Sequence, residues 1–127
     1  MDINKLSNKI IGSAIEVHKG LGPGLLESIY EECLCYEFDI RKISYDRQVV
    51  LPVKYKDKKF SGGYRLDILV EDSIILEFKA VDNVEAIHKA QLLAYLKLSG
   101  IKLGLIINFN VPVLKDGIVR VVNELAE

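Results

Sequence analysis

Three charged residues, Asp67, Glu77 and Lys79, interrupt an otherwise apolar run over residues 64–79, Tyr-Arg-Leu-Asp-Ile-Leu-Val-Glu-Asp-Ser-Ile-Ile-Leu-Glu-Phe-Lys. An unpaired charge inside a folded chain is costly, so residues placed like this need partners or a metal ion. Glu77 and Lys79 are two apart and leave a strand from one face, while Leu76, Phe78 and Ala80 leave from the other. If Glu71-Asp72-Ser73 is a three-residue turn, position 67 falls opposite position 77 and the two carboxylates meet. A two-residue turn would put them on opposite faces. Two carboxylates in register repel unless a cation lies between them. Hard oxygen donors with water left in the shell suit Mg²⁺ or Mn²⁺ rather than zinc. A lysine two residues on can hold or deprotonate a water at that cation. The same three residues also fit a plain ion cluster, Asp67 or Glu77 with Lys79, on a solvated sheet face.

The hairpin that carries these residues, strands 60–70 and 74–80, needs other elements to position and cover it. Ile3, Leu6, Ile10, Ala14 and Val17 recur at three-to-four spacing and predict an amphipathic helix over residues 3–19. Gly20-Leu-Gly-Pro-Gly24 stops it, and a second helix follows from Leu25 to about Phe38, with Leu26, Ile29, Cys33 and Leu34 toward the core. Residues 48–55 read as a strand in which Pro52 implies an edge. Lys54, Lys56, Lys58 and Lys59 crowd the next turn, as a solvated hairpin tip or as a patch for phosphates. A helix over 84–98, capped by Asp82 or Asn83 and ended by Gly100, would pack through Ile87, Leu92, Leu96 and Leu98. It leads to a buried strand over 102–109, and such a crossover makes the flanking strands parallel neighbours. Val113-Leu-Lys and Ile118-Val-Arg-Val-Val flank Asp116-Gly117 and predict a terminal hairpin. The expected order is α-α-β-β-β-α-β plus a C-terminal β-hairpin, an α/β (α+β) mixed sheet flanked by helices, in one domain over residues 1–127.

The totals narrow the function classes. At 127 residues and net charge −1, the chain can build a core but has no global attraction to polyanions or acidic membranes. No segment approaches the roughly 18 apolar residues of a membrane span, and no signal peptide opens the chain; a cytoplasmic location without membrane contact is expected. Cys33 and Cys35 lie on different sides of a helix, with no clustered histidines to make a zinc framework. No Gly-x-Ser-x-Gly elbow supports nucleophilic serine chemistry.

Further polar residues fall at suggestive spacings. His88, Gln91 and Tyr95 form one stripe on the 84–98 helix, where a buried Gln and a Tyr one turn later would want hydrogen-bond partners. His88 reads as a boundary histidine rather than a catalyst. Glu27 sits in the first turn of the second helix, a place the helix dipole favours for any acid, with Tyr30 on its face.

Gly24-Leu-Leu-Glu27-Ser-Ile-Tyr30 resembles the signature of the small bacterial and archaeal GxxExxY proteins. Tyr64-Arg-Leu-Asp67, Glu77-Phe-Lys79, Gln91-Leu-Leu-Ala-Tyr95 and Gly104-Leu-Ile-Ile-Asn-Phe109 are similar to that family's downstream blocks, from about Ile11 to Asn123. Through that family the chain resembles the PD-(D/E)xK phosphodiesterase superfamily, with its restriction-endonuclease-like α-β-β-β-α-β core. Gln91 and Tyr95 look like the QxxxY motif of RecB-type nucleases. Leu66 stands where a proline often precedes the aspartate.

The resemblance implies a Mg²⁺ (or Mn²⁺) site formed by Asp67, Glu77 and the Phe78 backbone carbonyl, with Glu27 supporting the metal, often through water. It implies that Lys79 orients or activates the attacking water and that Gln91 and Tyr95 steady the site or the phosphate. The implied activity is metal-dependent hydrolysis of nucleic acid, DNA by resemblance. Two rivals use the same residues: a non-catalytic nucleic-acid or protein-binding module that keeps the fold, and a hydrolase of small phosphorylated substrates with a closed pocket. The sparse basic charge favours the former, and a homodimer or a larger protein partner could supply the missing surface.

Overall fold

The computed structural model describes residues 2–124, apart from the side chains of residues 61 and 62. Helix α1 (Ile3–Leu21) starts where Asp2 Oδ1 accepts the Asn4 N–H at 2.7 Å and ends at Gly22, whose φ of 72° is open to glycine at little cost. Helix α2 spans Glu27–Arg41. The strands are β1 (Tyr45–Tyr55), β2 (Lys58–Val70) and β3 (Ile74–Lys79), followed by helix α3 (Ala86–Ser99), strand β4 (Leu103–Asn108) and strand β5 (Ile118–Val122).

The five strands lie in sequence order, β1-β2-β3-β4-β5, in one mixed sheet. β3 and β4 are parallel, as a crossover through α3 requires, and the other neighbours are antiparallel. β1 is an edge, and its register slips between Leu51 and Val53, around the Pro52 that cannot donate to a ladder.

Alternation along the strands sorts the core into two layers. Ile74, Leu76, Phe78, Leu103, Leu105 and Ile107 pack with α1 and α2, whereas Ile75 and Ile106 pack with Leu92, Tyr95 and Leu96 of α3. Glu77 and Lys79 share the parity of Ile75 and so belong to the α3 face. A Cβ on Gly104 would lie 2.8 Å from the Leu92 side chain, so glycine there lets α3 seat closely on β4.

Four sequence expectations change. Leu114–Gly117 is a 3₁₀ turn, and β5 pairs with β4 instead of forming a hairpin with residues 113–115. The C-terminal antiparallel pair is therefore β4–β5, because buried β4 offers a longer apolar partner than the three residues before Asp116. Helix α3 is capped by Glu85, not by Asp82 or Asn83, in a box where His88 Nδ1 accepts the Glu85 N–H at 2.9 Å. Ile87 and Leu98 are exposed, since α3 meets the sheet through Leu92, Tyr95 and Leu96 alone. Leu26 and Ile29 are exposed as well, and α2 buries Tyr30, Leu34, Cys35 and Phe38 in their place.

Candidate active site

The β1–β2 ribbon turns over as it passes β3. Tyr45, Ile68 and Val70 pack with α1 and α2, but Val49, Leu51 and Leu66 pack with α3. The change of face falls at Gln48, whose φ of 51° is unusual for a residue with a side chain, and at Asp67 across from it. The β2–β3 register is Ile68↔Leu76, Leu69↔Ile75 and Val70↔Ile74. It is set by the three-residue turn, with Glu71 and Asp72 at positive φ, and its next step sets 67 opposite 77.

There the ladder stops and the side chains take over. Asp67 Oδ2 accepts the Phe78 N–H at 2.8 Å, and Glu77 Oε1 accepts the Asp67 N–H at 3.3 Å. Each carboxylate is thus aimed by the other strand's backbone, and the two are held side by side. Burial, then the neighbouring Asp67 charge, pushes the Glu77 carboxyl up to about 8. Asp67 is raised too, chiefly by burial, against the lowering effect of its bond from Phe78 N–H. The two raised carboxyls titrate as one coupled pair, in which a shared proton or a cation relieves the repulsion.

Glu27 is exposed at the start of α2, and Glu31, one turn on, is buried. Among the described residues no three His, Cys, Asp or Glu side chains converge as a metal cluster, so exposed Glu27 does not complete a carboxylate triad with Asp67 and Glu77. It raises Asp67 less than Glu31 does. Glu31, which the sequence reading passed over, is 7% exposed. Its Oε2 accepts from Arg47 Nη2 at 2.9 Å and Nε at 3.1 Å, and its Oε1 accepts from Gln48 Nε2 at 3.1 Å. Glu31 therefore pins the left-handed Gln48 where the ribbon turns over, directly across from Asp67. The available signal was its position four residues after Glu27, on one helix face, together with the paired polar residues Arg47-Gln48 in an apolar strand. Glu31→Ala is expected to cost about 1–3 kcal/mol of unfolding free energy by urea denaturation. That is below the value for a fully buried pair because Arg47 is half exposed; Glu31→Gln, which keeps an acceptor, should cost less.

Tyr30 shows why the Gly24-to-Tyr30 stretch needs its tyrosine. Its ring stacks on Phe109 with centroids 4.2 Å apart, and its hydroxyl donates to the Gly22 carbonyl at 2.6 Å and accepts the Leu25 N–H at 3.1 Å. The elbow that presents Glu27 is thereby tied to the core. Tyr30→Phe leaves those two backbone groups without that partner, and should lower stability by about 1–2 kcal/mol in the same denaturation experiment.

Lys79 closes β3 on the α3 face, its carbonyl accepting the Phe109 N–H at 3.1 Å. Beyond it, Asn108 accepts the Val81 N–H and donates to the Val81 carbonyl at 2.9 Å, which fixes the exit of the strand. The Lys79 charge reaches Glu77, whose carboxyl it holds lower than burial alone would. Tyr95 comes from α3 and is buried. Its hydroxyl is raised by burial and then by Glu77, Tyr64 and Asp67, against a lowering influence from Gln91. Tyr95 thus stays a donor beside the carboxylates. Gln91 is exposed, contrary to the buried position expected for it, and His88 is spent on its cap. Burial raises the Cys35 thiol to about 11, which leaves no reactive thiolate there.

Residues 4–121 match the family model of the PD-(D/E)XK nuclease superfamily. The chain belongs to the PD-(D/E)XK nuclease superfamily. No curated protein and no solved structure matches it at a significant level. The mixed sheet flanked by helices is consistent with the restriction-endonuclease-like fold of that superfamily, whose nucleases generally use divalent metals. The donor set fits such an ion: two adjacent half-buried carboxylates that cannot both ionise comfortably unless something positive joins them. No described helix is long and apolar enough to cross a membrane.

Proposed function

We propose that this PD-(D/E)XK protein is a Mg²⁺- or Mn²⁺-dependent phosphodiesterase that hydrolyses nucleic acid, with DNA favoured by its resemblance to the GxxExxY proteins. The observation that carries the reading is the reciprocal brace: Asp67 and Glu77 each accept a backbone N–H from the other's strand segment, at 2.8 and 3.3 Å, and are left side by side. A structural ion pair would bring a cation to each carboxylate, yet the ion pairs formed among the described residues are Arg41–Glu37 and Arg47–Glu31.

Asp67, Glu77 and the Phe78 carbonyl would hold the ion, with Glu27 reaching it through water. The bound ion supplies positive charge for the phosphate and makes water a stronger acid. Lys79 would hold the attacking water and stabilise its loss of a proton. The Tyr95 hydroxyl, kept protonated by burial and by the Glu77 charge, would donate to a phosphate oxygen, with Gln91 steadying the site beside it. The alternative, a binding module that retains the fold, draws support from the absence of a third converging acid among the described residues. Calorimetric titration with Mn²⁺ and Mg²⁺, beside cleavage of supercoiled and single-stranded DNA, separates them. Metal binding with cutting supports the nuclease, and metal binding without cutting supports the module. The absence of metal binding would make Asp67, Glu77 and Lys79 a structural cluster.

A further inference from the structure

The sheet is uneven. β1 and β2 run through Tyr45–Tyr55 and Lys58–Val70, whereas β3 accompanies β2 only from Ile68 to Val70. The rest of the hairpin is a two-stranded arm, a form that is marginal in water without cover. Its inner part is covered: Leu51 and Leu66 are buried against α3, and the Tyr64 ring lies 5.2 Å from that of Tyr95 at 42°. Its outer part is not, yet it carries two large aromatics, Tyr55 at 63% exposure and Phe60 at 44%.

Those rings share a face. Tyr55 is paired with Lys58, and Phe60 lies two residues beyond Lys58. Tyr64, across the register shift that separates Leu51↔Tyr64 from Val53↔Phe60, meets the ring of Tyr95, whose hydroxyl feels Glu77 and Asp67. Lys56 lies over the Tyr55 ring at 5.4 Å and Lys58 over the Phe60 ring at 5.2 Å, while Lys54 and Lys59 are exposed as a pair on the ribbon's other face. Edge protection accounts for lysines at a hairpin tip but not for exposed aromatics on one face that lead to the carboxylates.

We propose that the free end of this arm is a binding platform for single-stranded polynucleotide, in which bases stack on Tyr55 and Phe60 and phosphates meet Lys56 and Lys58. Bases inside a duplex are already stacked on one another, so lysines alone would serve a duplex, whereas exposed aromatics select unpaired bases. The protein's net charge of −1 leaves such capture to a local patch. The platform rests on the proposed function for the nature of the polymer and narrows it to unpaired segments delivered along Tyr64 to Tyr95.

The test is fluorescence anisotropy in EDTA with labelled oligo(dT), oligo(U) and a blunt DNA duplex. It uses the wild type and Tyr55→Ala, Phe60→Ala, Phe60→Leu and Phe60→Trp, with melting temperatures checked in parallel. The wild type should prefer a single strand over the duplex, and the two oligomers show whether DNA or RNA is taken. Each alanine, and Phe60→Leu should alanine unfold the arm, should weaken single-strand binding about 5- to 100-fold, and Phe60→Trp should preserve it. The log–log salt slope should be unchanged in these variants but smaller by about 1.4 in the double variant Lys56→Ala/Lys58→Ala. Preference for duplex, or single-strand binding unmoved by Phe60→Ala and Tyr55→Ala, overturns the platform. Because no divalent ion is present, a protein that binds single strands through Phe60 yet never cuts them keeps the platform and loses the nuclease reading. A protein that cuts with unmoved variants does the reverse.

Discussion

Asp67→Asn is expected to abolish detectable Mn²⁺ binding and to slow phosphodiester cleavage by about 10³-fold, the scale of losing several kcal/mol of charge stabilisation from one ligand. The asparagine is chosen because it keeps an oxygen that can accept the Phe78 N–H, the bond Asp67 makes at 2.8 Å. Alanine would strand that N–H and confound function with folding, at a cost of about 1–3 kcal/mol. With asparagine, the melting temperature of the metal-free protein should hold or rise, since the charge that pushes Glu77 up has gone. Loss of metal with retained stability identifies a ligand. A melting temperature that drops with metal binding intact would instead identify Asp67 as a strand-end brace, and the nuclease reading would lose its first residue.

Lys79→Met should separate from this pattern. In the proposed mechanism the lysine acts on water and not on the ion, so Mn²⁺ binding should survive while cleavage falls. A variant that loses both would show that Lys79 matters through the charge balance around Glu77, to which it contributes.

Much of this arrangement was legible because strand geometry is nearly digital. A three-residue turn at Glu71-Asp72-Ser73 fixes parity, and parity alone puts 67 opposite 77 and Glu77 on the face that α3 covers. Pro52 marked the edge strand for an equally simple reason, its missing donor. What sequence could not show depends on long-range competition. Residues 113–115 and the β-branched run 118–122 flank a turn that suits a hairpin, but β5 finds a better partner in fully buried β4. Leu26 and Ile29 fit an apolar stripe, yet α2 is rotated so that Tyr30 can reach both Phe109 and the Gly22 elbow. Glu31 escaped notice because its importance lies in the left-handed Gln48 it restrains, and no local pattern announces a positive φ at a glutamine.

The carboxylate pair should also make the metal-free protein lose stability as pH rises. A glutamate titrates near 4.5 in the unfolded chain and near 8 in the folded one. Between those values the folded protein keeps a proton that the unfolded chain has released, so unfolding releases that proton and becomes easier with each step up in pH. In EDTA the melting temperature is expected to fall by about 5 °C or more between about pH 5 and pH 8.5, and Glu77→Gln should flatten that fall. The difference between the two profiles isolates this site from every other titrating group. A divalent ion reverses the sign. It takes the deprotonated pair, so Mn²⁺ should raise the wild-type melting temperature most at the alkaline end, and binding at about pH 7 should release close to one proton. Calorimetry in buffers of different ionisation enthalpy reads that proton directly. Profiles that coincide for wild type and Glu77→Gln would mean that water reaches the carboxylates freely. The ion would then displace solvent instead of a proton, and the side-by-side placement of Asp67 and Glu77 would no longer select for a cation.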